Sequence, residues 1–307
     1  MTALRLPMAA DGLMLQSDPM LLLDELVACG DGAAEGRARI RPGHLFLDGA
    51  GRLDPAACVE MLAQLMAALI GYEIKLAGGD IGSGYLVGLK DFSFAAAPRG
   101  GDTLRLECRR VFMMETVSLA EGAIWRGAER LAGGTLKVYE AGELPLHPRH
   151  PAGAAGMEQI CRQTGEKALQ VLGKSPIHRF LIERLSDLTS SSGPERTDAA
   201  GEFILDDAFP GFQGHFPGHP LQPGVVTLEM GLAVAECACG RALEFLTIEQ
   251  AKFNLPAYPN ERIRVETRMG KAENGVRSVT ARVRREGSPI ASFSFTAREV
   301  ALEGGRF

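Results

Sequence analysis

The chain has no surplus of positive charge: 33 Lys and Arg face 38 Asp and Glu, a net −5 over 307 residues. A protein that binds nucleic acid by neutralising phosphates needs the opposite balance, so that class is excluded. Intrinsic disorder is excluded as well, because 46% of the residues are hydrophobic and can offset the entropy of ordering. The six cysteines are scattered, and the one close pair, Cys237 and Cys239, lacks the spacing of a zinc knuckle, so no metal site is expected. No continuous apolar run of signal-peptide length opens the chain, since Asp11 interrupts it. The two most apolar stretches, around 56–70 and 225–239, each carry a glutamate and read as too short to span a bilayer. The expectation is a cytoplasmic protein with no membrane span.

What the sequence does have is order repeated twice. Met20 to Val27 resembles Arg179 to Ser186, an apolar run meeting charge that reads as an opening strand. Each half then places a histidine after a glycine, His44 and His215. An apolar stretch with one early glutamate follows in each, Glu60 and Glu229. Both halves continue through similar segments, 89–98 and 249–259, into the alternating runs 102–107 and 261–266, the period of half-buried strands. The chain therefore reads as a tandem duplication with halves at 1–141 and 176–307. The Pro-rich segment 142–175 reads as a linker holding a helix over Met157–Leu172. The polar stretch Thr189–Ala200 reads as an extended loop.

Asp54 suits an N-cap and Pro55 a first helical residue, so a helix is predicted over 54–71, apolar nearly all round. A second is predicted over 224–240. Strands following one buried helix in each half imply an α+β fold, with antiparallel sheets wrapped about their helices and paired edge to edge as a pseudo-dimer. A carboxylate is costly inside an apolar helix, which marks Glu60 and Glu229 as functional candidates. Glu236 is expected to reach solvent at its helix end, and His147, His150 and His178 are given no role. The methionines Met61, Met66, Met113 and Met114 are expected in the core or along an acyl tunnel.

The run Gly214-His215-Phe216-Pro217-Gly218-His219-Pro220-Leu221-Gln222-Pro223-Gly224, with Glu229 fourteen residues after His215, resembles the signature of the β-hydroxyacyl-[acyl-carrier-protein] dehydratases of the FabA/FabZ type. Family-like segments extend over most of 176–298. The first half is more distant: His44-Leu45-Phe46 lacks the Phe-Pro-Gly continuation, but Glu60-Met61-Leu62-Ala63-Gln64 is similar to the family's E-x-x-A-Q. The second half has Ala233 where that glutamine is expected. The resemblance implies a double hotdog whose active sites each take histidine from one half and the acid from the other. Two composite sites follow, His215 with Glu60 and His44 with Glu229, the first being the better preserved.

The implied reaction is reversible dehydration of a (3R)-3-hydroxyacyl thioester to the trans-2-enoyl form, with no metal or redox cofactor. The acyl group would ride on the phosphopantetheine of an acyl carrier protein, or on CoA. The resemblance assigns the thioester oxygen to the Gly224 N–H, and Gln64, Phe216 and Gly218 to substrate binding. An enoyl-CoA hydratase, a thioesterase and a non-catalytic acyl-binding protein are alternatives on the same fold. The paired dehydratase subunits of aryl-polyene pathways, fused into one chain, are a further resemblance, and a homo-oligomer is compatible with it. Arg105, Arg109 and Arg110, or Arg262, Arg264 and Arg268, are candidate docking residues for an acidic carrier.

Overall fold

The computed structural model describes residues 4–141 and 174–300; the helix expected over 157–172 lies outside them. The first half comprises β1 (Met8–Ala9), β2 (Glu25–Gly30), β3 (Ala33–Arg39), α1 (Pro55–Leu76), β4 (Ser83–Phe94), β5 (Thr103–Met114), β6 (Val117–Arg126) and β7 (Glu129–Ala141). The second comprises α2 (Pro176–Arg184), β8 (Ser186–Ser192), β9 (Arg196–Ile204), α3 (Pro210–Gly214), α4 (Gly224–Cys239) and β10 (Ala242–Phe253). It ends with β11 (Arg262–Gly270), β12 (Val276–Arg285) and β13 (Ser288–Val300).

All thirteen strands form one antiparallel sheet, in the order β1-β2-β3-β5-β6-β7-β4-β10-β13-β12-β11-β9-β8. The halves join where β4 pairs β10, from Thr247 opposite Ser93 to Lys252 opposite Gly88. The double hotdog is thus a single continuous sheet curling round two helices rather than two sheets side by side. The period-two runs predicted near 102–107 and 261–266 lie in β5 and β11, with Leu104, Leu106, Ile263 and Val265 facing the core.

Asp54 caps α1, accepting from the Ala56 N–H, and Pro55 opens it. The helix runs five residues past the predicted end, to Leu76, because nothing before Gly78 breaks it. By length and composition α1 could cross a membrane, but 72% of its most apolar window is buried inside the protein. It lies close against its sheet, which needs glycines beneath it. A Cβ on Gly36 would come within 2.8 Å of Leu65, and one on Gly122 within 2.9 Å of Leu62. Helix α4 ends at Gly240, whose φ of 66° is the left-handed cap a side chain resists.

Three local expectations are corrected. Arg179–Ser186 opens not as a strand but as α2, since Ser175 caps it by accepting from the His178 N–H and Pro176 fits the first turn. The polar stretch Thr189–Ala200 is the turn and flanks of the β8–β9 hairpin at the sheet edge, where serine side chains can face water while the backbone pairs. Met113 and Met114 are not in the core; they stand 57% and 60% exposed at the end of β5, beyond the reach of β3. Met61 and Met66 are fully buried.

Candidate active site

His215 follows the short helix α3, in the loop that leads to α4. Its Nδ1 lies 2.9 Å from the Leu221 carbonyl oxygen. A carbonyl can only accept, so Nδ1 carries the proton and Nε2 keeps its lone pair. The ring is buried and stacks on Phe216 at 4.2 Å between centroids. Loop and helix therefore fix both tautomer and orientation.

Glu60 stands in the second turn of α1, 4% exposed. Gln64, one turn on, donates from Nε2 to Glu60 Oε1 at 2.9 Å and to the Met20 carbonyl at 2.6 Å. Its Oε1 accepts from the Leu22 and Leu23 N–H groups at 2.8 and 3.1 Å. Those two donors leave the amide one orientation, with its N–H groups turned toward Glu60. Gln64 thus holds the Glu60 carboxyl in place, and it does not line the cavity.

That cavity has a volume of about 560 Å³ and is walled by both halves. Glu60, His215, Phe216, Gly224 and Thr227 all face it. Gly224 opens α4, so its N–H has no partner within the helix and lies at the positive end of the helix dipole. Gln222, which sequence reasoning passed over, donates to Thr227 Oγ1 at 2.7 Å and ties the loop to the first turn of α4. Its only sequence signal was its place just before Pro223-Gly224. Gly218 does not reach the cavity; with φ at 74° it makes the left-handed turn of the histidine loop.

Of the second expected pair, His44 and Glu229, neither lines this cavity, and each is bonded to other groups. His44 Nδ1 accepts from the Phe46 N–H at 3.3 Å, which places the proton on Nε2 and leaves no outward lone pair. Burial and then the Arg41 charge lower its pKa. Glu229 is fully buried and bonds His178 Nδ1 across from α2. His178 Nε2 bonds Glu236 at 2.6 Å, and Glu236 also accepts from Lys174 Nζ at 2.5 Å and the Leu243 N–H at 2.6 Å. Glu236, expected in solvent, is 1% exposed, and His178, given no role, is central to this cluster. Ala233, a turn beyond Glu229, has only a methyl group where Gln64 places its amide in the first half.

Charge balances inside this cluster. Burial alone would lower His178, but the Glu236 charge and the bonds to both glutamates hold it up to about 10. Burial would raise Glu236, yet Lys174 and His178 bring it down to about 2. Asp54 is pushed well above the usual carboxylate range by burial and by the Glu229 charge beside it. Asp54, His178 and Glu229 place donor atoms within 4.8 Å of one another, a metal-like grouping. Both imidazole nitrogens are already committed to carboxylates and Lys174 supplies a resident cation, so the set does not fit a metal ion.

The arginines proposed for docking are mostly neutralised. Arg105 pairs Glu107, Arg110 pairs Glu73, Arg262 and Arg264 pair Glu202, and Arg268 pairs Asp198.

Comparison with known proteins divides the chain in the same two parts. Residues 8–146 match the ApeP-like family, described as ApeP dehydratase, and residues 191–292 match the ApeI-like family, described as ApeI dehydratase. The 3-hydroxyacyl-[acyl-carrier-protein] dehydratase FabZ of Geotalea uraniireducens is 34% identical over 119 residues, 36% of this chain and 81% of that protein. The FabZ of Thermus thermophilus is 39% identical over 98 residues, 28% of this chain and 67% of that protein. The dehydratase domain of RzxB from Pseudomonas fluorescens superposes with a TM-score of 0.54 at 15% identity, covering 93% of this chain and 99% of that one, a likeness of fold.

Proposed function

The chain belongs to the 3-hydroxyacyl-[acyl-carrier-protein] dehydratases of the FabZ type, and we propose that it works through a single composite site, His215 with Glu60, on a thioester borne by an acyl carrier protein. His215 Nε2 takes the proton from C2 as base. The electrons form the C2–C3 double bond as the C3 oxygen leaves. Glu60 gives that oxygen a proton and water departs, leaving His215 protonated and Glu60 ionised; return of the proton taken from C2 to Glu60 resets the pair, so the net loss is one hydrogen and one hydroxyl. The sum involves no change of oxidation state and needs no redox partner. During the step, negative charge gathers on the thioester oxygen, where the Gly224 N–H can donate to it from the helix terminus.

One observation carries this reading. The Leu221 carbonyl holds the proton on His215 Nδ1, leaving Nε2 as the free base in a cavity that Glu60 and Gly224 share. The first arm of the test incubates purified protein with 3-hydroxyacyl carrier thioesters and follows enoyl absorbance. The second uses the matching CoA thioesters. His215→Ala is expected to cut turnover by ~10²–10⁴-fold on the carrier substrate. Wild-type turnover in a folded His215→Ala protein would refute the assignment, and a preference for CoA would move the chain to the hydratase reading.

A further inference from the structure

The segment Ser17–Leu23, between β1 and β2, belongs to the first half but lies against the histidine loop of the second. The Ser17 N–H donates to the Gly214 carbonyl at 3.0 Å, and Gly214 immediately precedes His215. The approach is closer than a side chain would allow. A Cβ on Gly214 would lie 2.1 Å from the Ser17 carbonyl oxygen and 2.8 Å from the Met20 nitrogen. The first half also places a glycine before its histidine, but for another reason. Gly43 has a φ of 78° and open space where a Cβ would go, so it serves a left-handed turn. Gly214 is not left-handed, and what its missing side chain serves is close packing.

The same segment holds the acid. The Met20 N–H donates back to the Ser17 carbonyl at 2.8 Å, closing a turn, and the Met20 carbonyl accepts from Gln64. Leu22 and Leu23 donate to the Gln64 Oε1, and the Gln64 amide in turn bonds Glu60. Met20 and Gln64 are fully buried, where water does not compete for their bonds. On the solvent side Arg41 bonds both Asp18 and Asp24, drawing the ends of the segment together. A continuous route therefore runs from the residue before His215 to the Glu60 carboxyl.

Base and acid come from different halves, and groups that act in one step must be held to within about 0.5 Å of the productive geometry. Building on the dehydratase reading above, we propose that Ser17–Leu23 is a positioning element that sets the spacing of His215 and Glu60 across the two halves, and that Gly214 is the residue that lets it dock. The segment acts on His215 through Gly214 and on Glu60 through Gln64.

The test uses Gly214→Ala, Gln64→Leu and the double variant of the full chain, assayed with 3-hydroxyacyl carrier thioesters and normalised to folded protein. The added methyl group must move the segment or the loop, because the nearest atoms it meets are backbone. A displacement near 1 Å costs on the order of 10²-fold in rate, so Gly214→Ala should lower kcat by about that factor with KM near wild type. If one segment links both ends, the double variant should be no slower than the slower single variant. Losses that multiply would make the two contacts independent and overturn the proposal. Wild-type kcat in a folded Gly214→Ala protein, or a loss confined to KM, would also overturn it. Hydrogen exchange of the wild-type amides gives a second arm that needs no variant to fold and no turnover. The Ser17, Met20, Leu22 and Leu23 amides should be protected to within about tenfold of one another, as a unit that opens together. Exchange at Ser17 far faster than at Leu22 and Leu23 would part the two ends and refute the coupling. Should the wild type turn over no thioester, the dehydratase reading fails by itself, and the exchange result decides whether the segment is one unit.

Discussion

Two glutamates occupy matching places in two apolar helices, yet their partners make them different chemical groups. Glu60 receives one neutral amide donor from Gln64 and otherwise faces an open cavity. Glu229 is bonded to His178 and walled in by Asp54. Glu60→Gln should therefore lower turnover as severely as His215→Ala, while Glu229→Gln leaves the rate per folded molecule near wild type. Steady-state kinetics normalised to folded protein would check this, and the reverse pattern would exchange the roles. Gln64→Leu removes a donor from Glu60 and frees the Leu22 and Leu23 N–H groups. It should reduce kcat more than it raises KM, because the residue acts through the acid without meeting substrate. Gln64→Glu would set a second carboxyl against Glu60 and is expected to displace the acid limb of the pH–rate profile, a shift that packing alone would not produce.

At the level of elements, the contrast lies in how the two buried helices begin. α4 starts with Gly224, whose N–H is available; α1 starts with Pro55, which has none, behind the carboxyl of Asp54. An oxyanion at the α1 terminus would meet an acidic cap instead of a donor, which favours the proposal of a single working site. The mirror-image place is taken by the α2–α4 cluster. His178→Ala would leave Glu229 and Glu236 buried without their shared cation. Loss of one member of a buried pair costs about 3–5 kcal/mol, to be read from urea unfolding. The pH dependence follows from the same groups. An imidazole of ~6.5 when unfolded and about 10 when folded lends stability fully below the first value and loses it as pH rises through the second. Glu236, at about 2 when folded, lends stability fully above the ordinary carboxylate range and loses it as pH falls through that value. The melting temperature should therefore decline on the alkaline side from about neutrality, and His178→Gln should flatten that decline.

The starts of α1 and α4, the period-two strands and the histidine run were legible because each is written in neighbouring residues. Asp54-Pro55 announces α1, and β11 alternates visibly. The α2–α4 cluster was not legible, because His178 meets partners 51 and 58 residues away that no local pattern links to it. Nor was the hairpin of β8 and β9, whose serines look like loop and become strand only through pairing at an edge.

At the scale of the whole molecule, the proposed catalytic pair spans the seam between halves but stays within one chain. Mixing His215→Ala protein with Glu60→Gln protein should accordingly restore no activity, whereas enzymes built from identical separate subunits regain a fraction of sites in such mixtures. A tight-binding enoyl-thioester analogue should titrate one site per chain. Substantial recovery on mixing, or two sites per chain, would contradict the intramolecular arrangement.

The β4–β10 seam runs where a dimer of identical subunits would have its twofold axis. In such a dimer every inherited change is made on both sides of the axis at once, so a substitution that silences one site silences its twin. Joining the two sides into one reading frame removes that symmetry. A proline at the start of one helix and a glycine at the start of the other become separate inheritable choices. One half can then keep the acid while the other keeps the base, and a site that no longer works would be left to selection for stability alone.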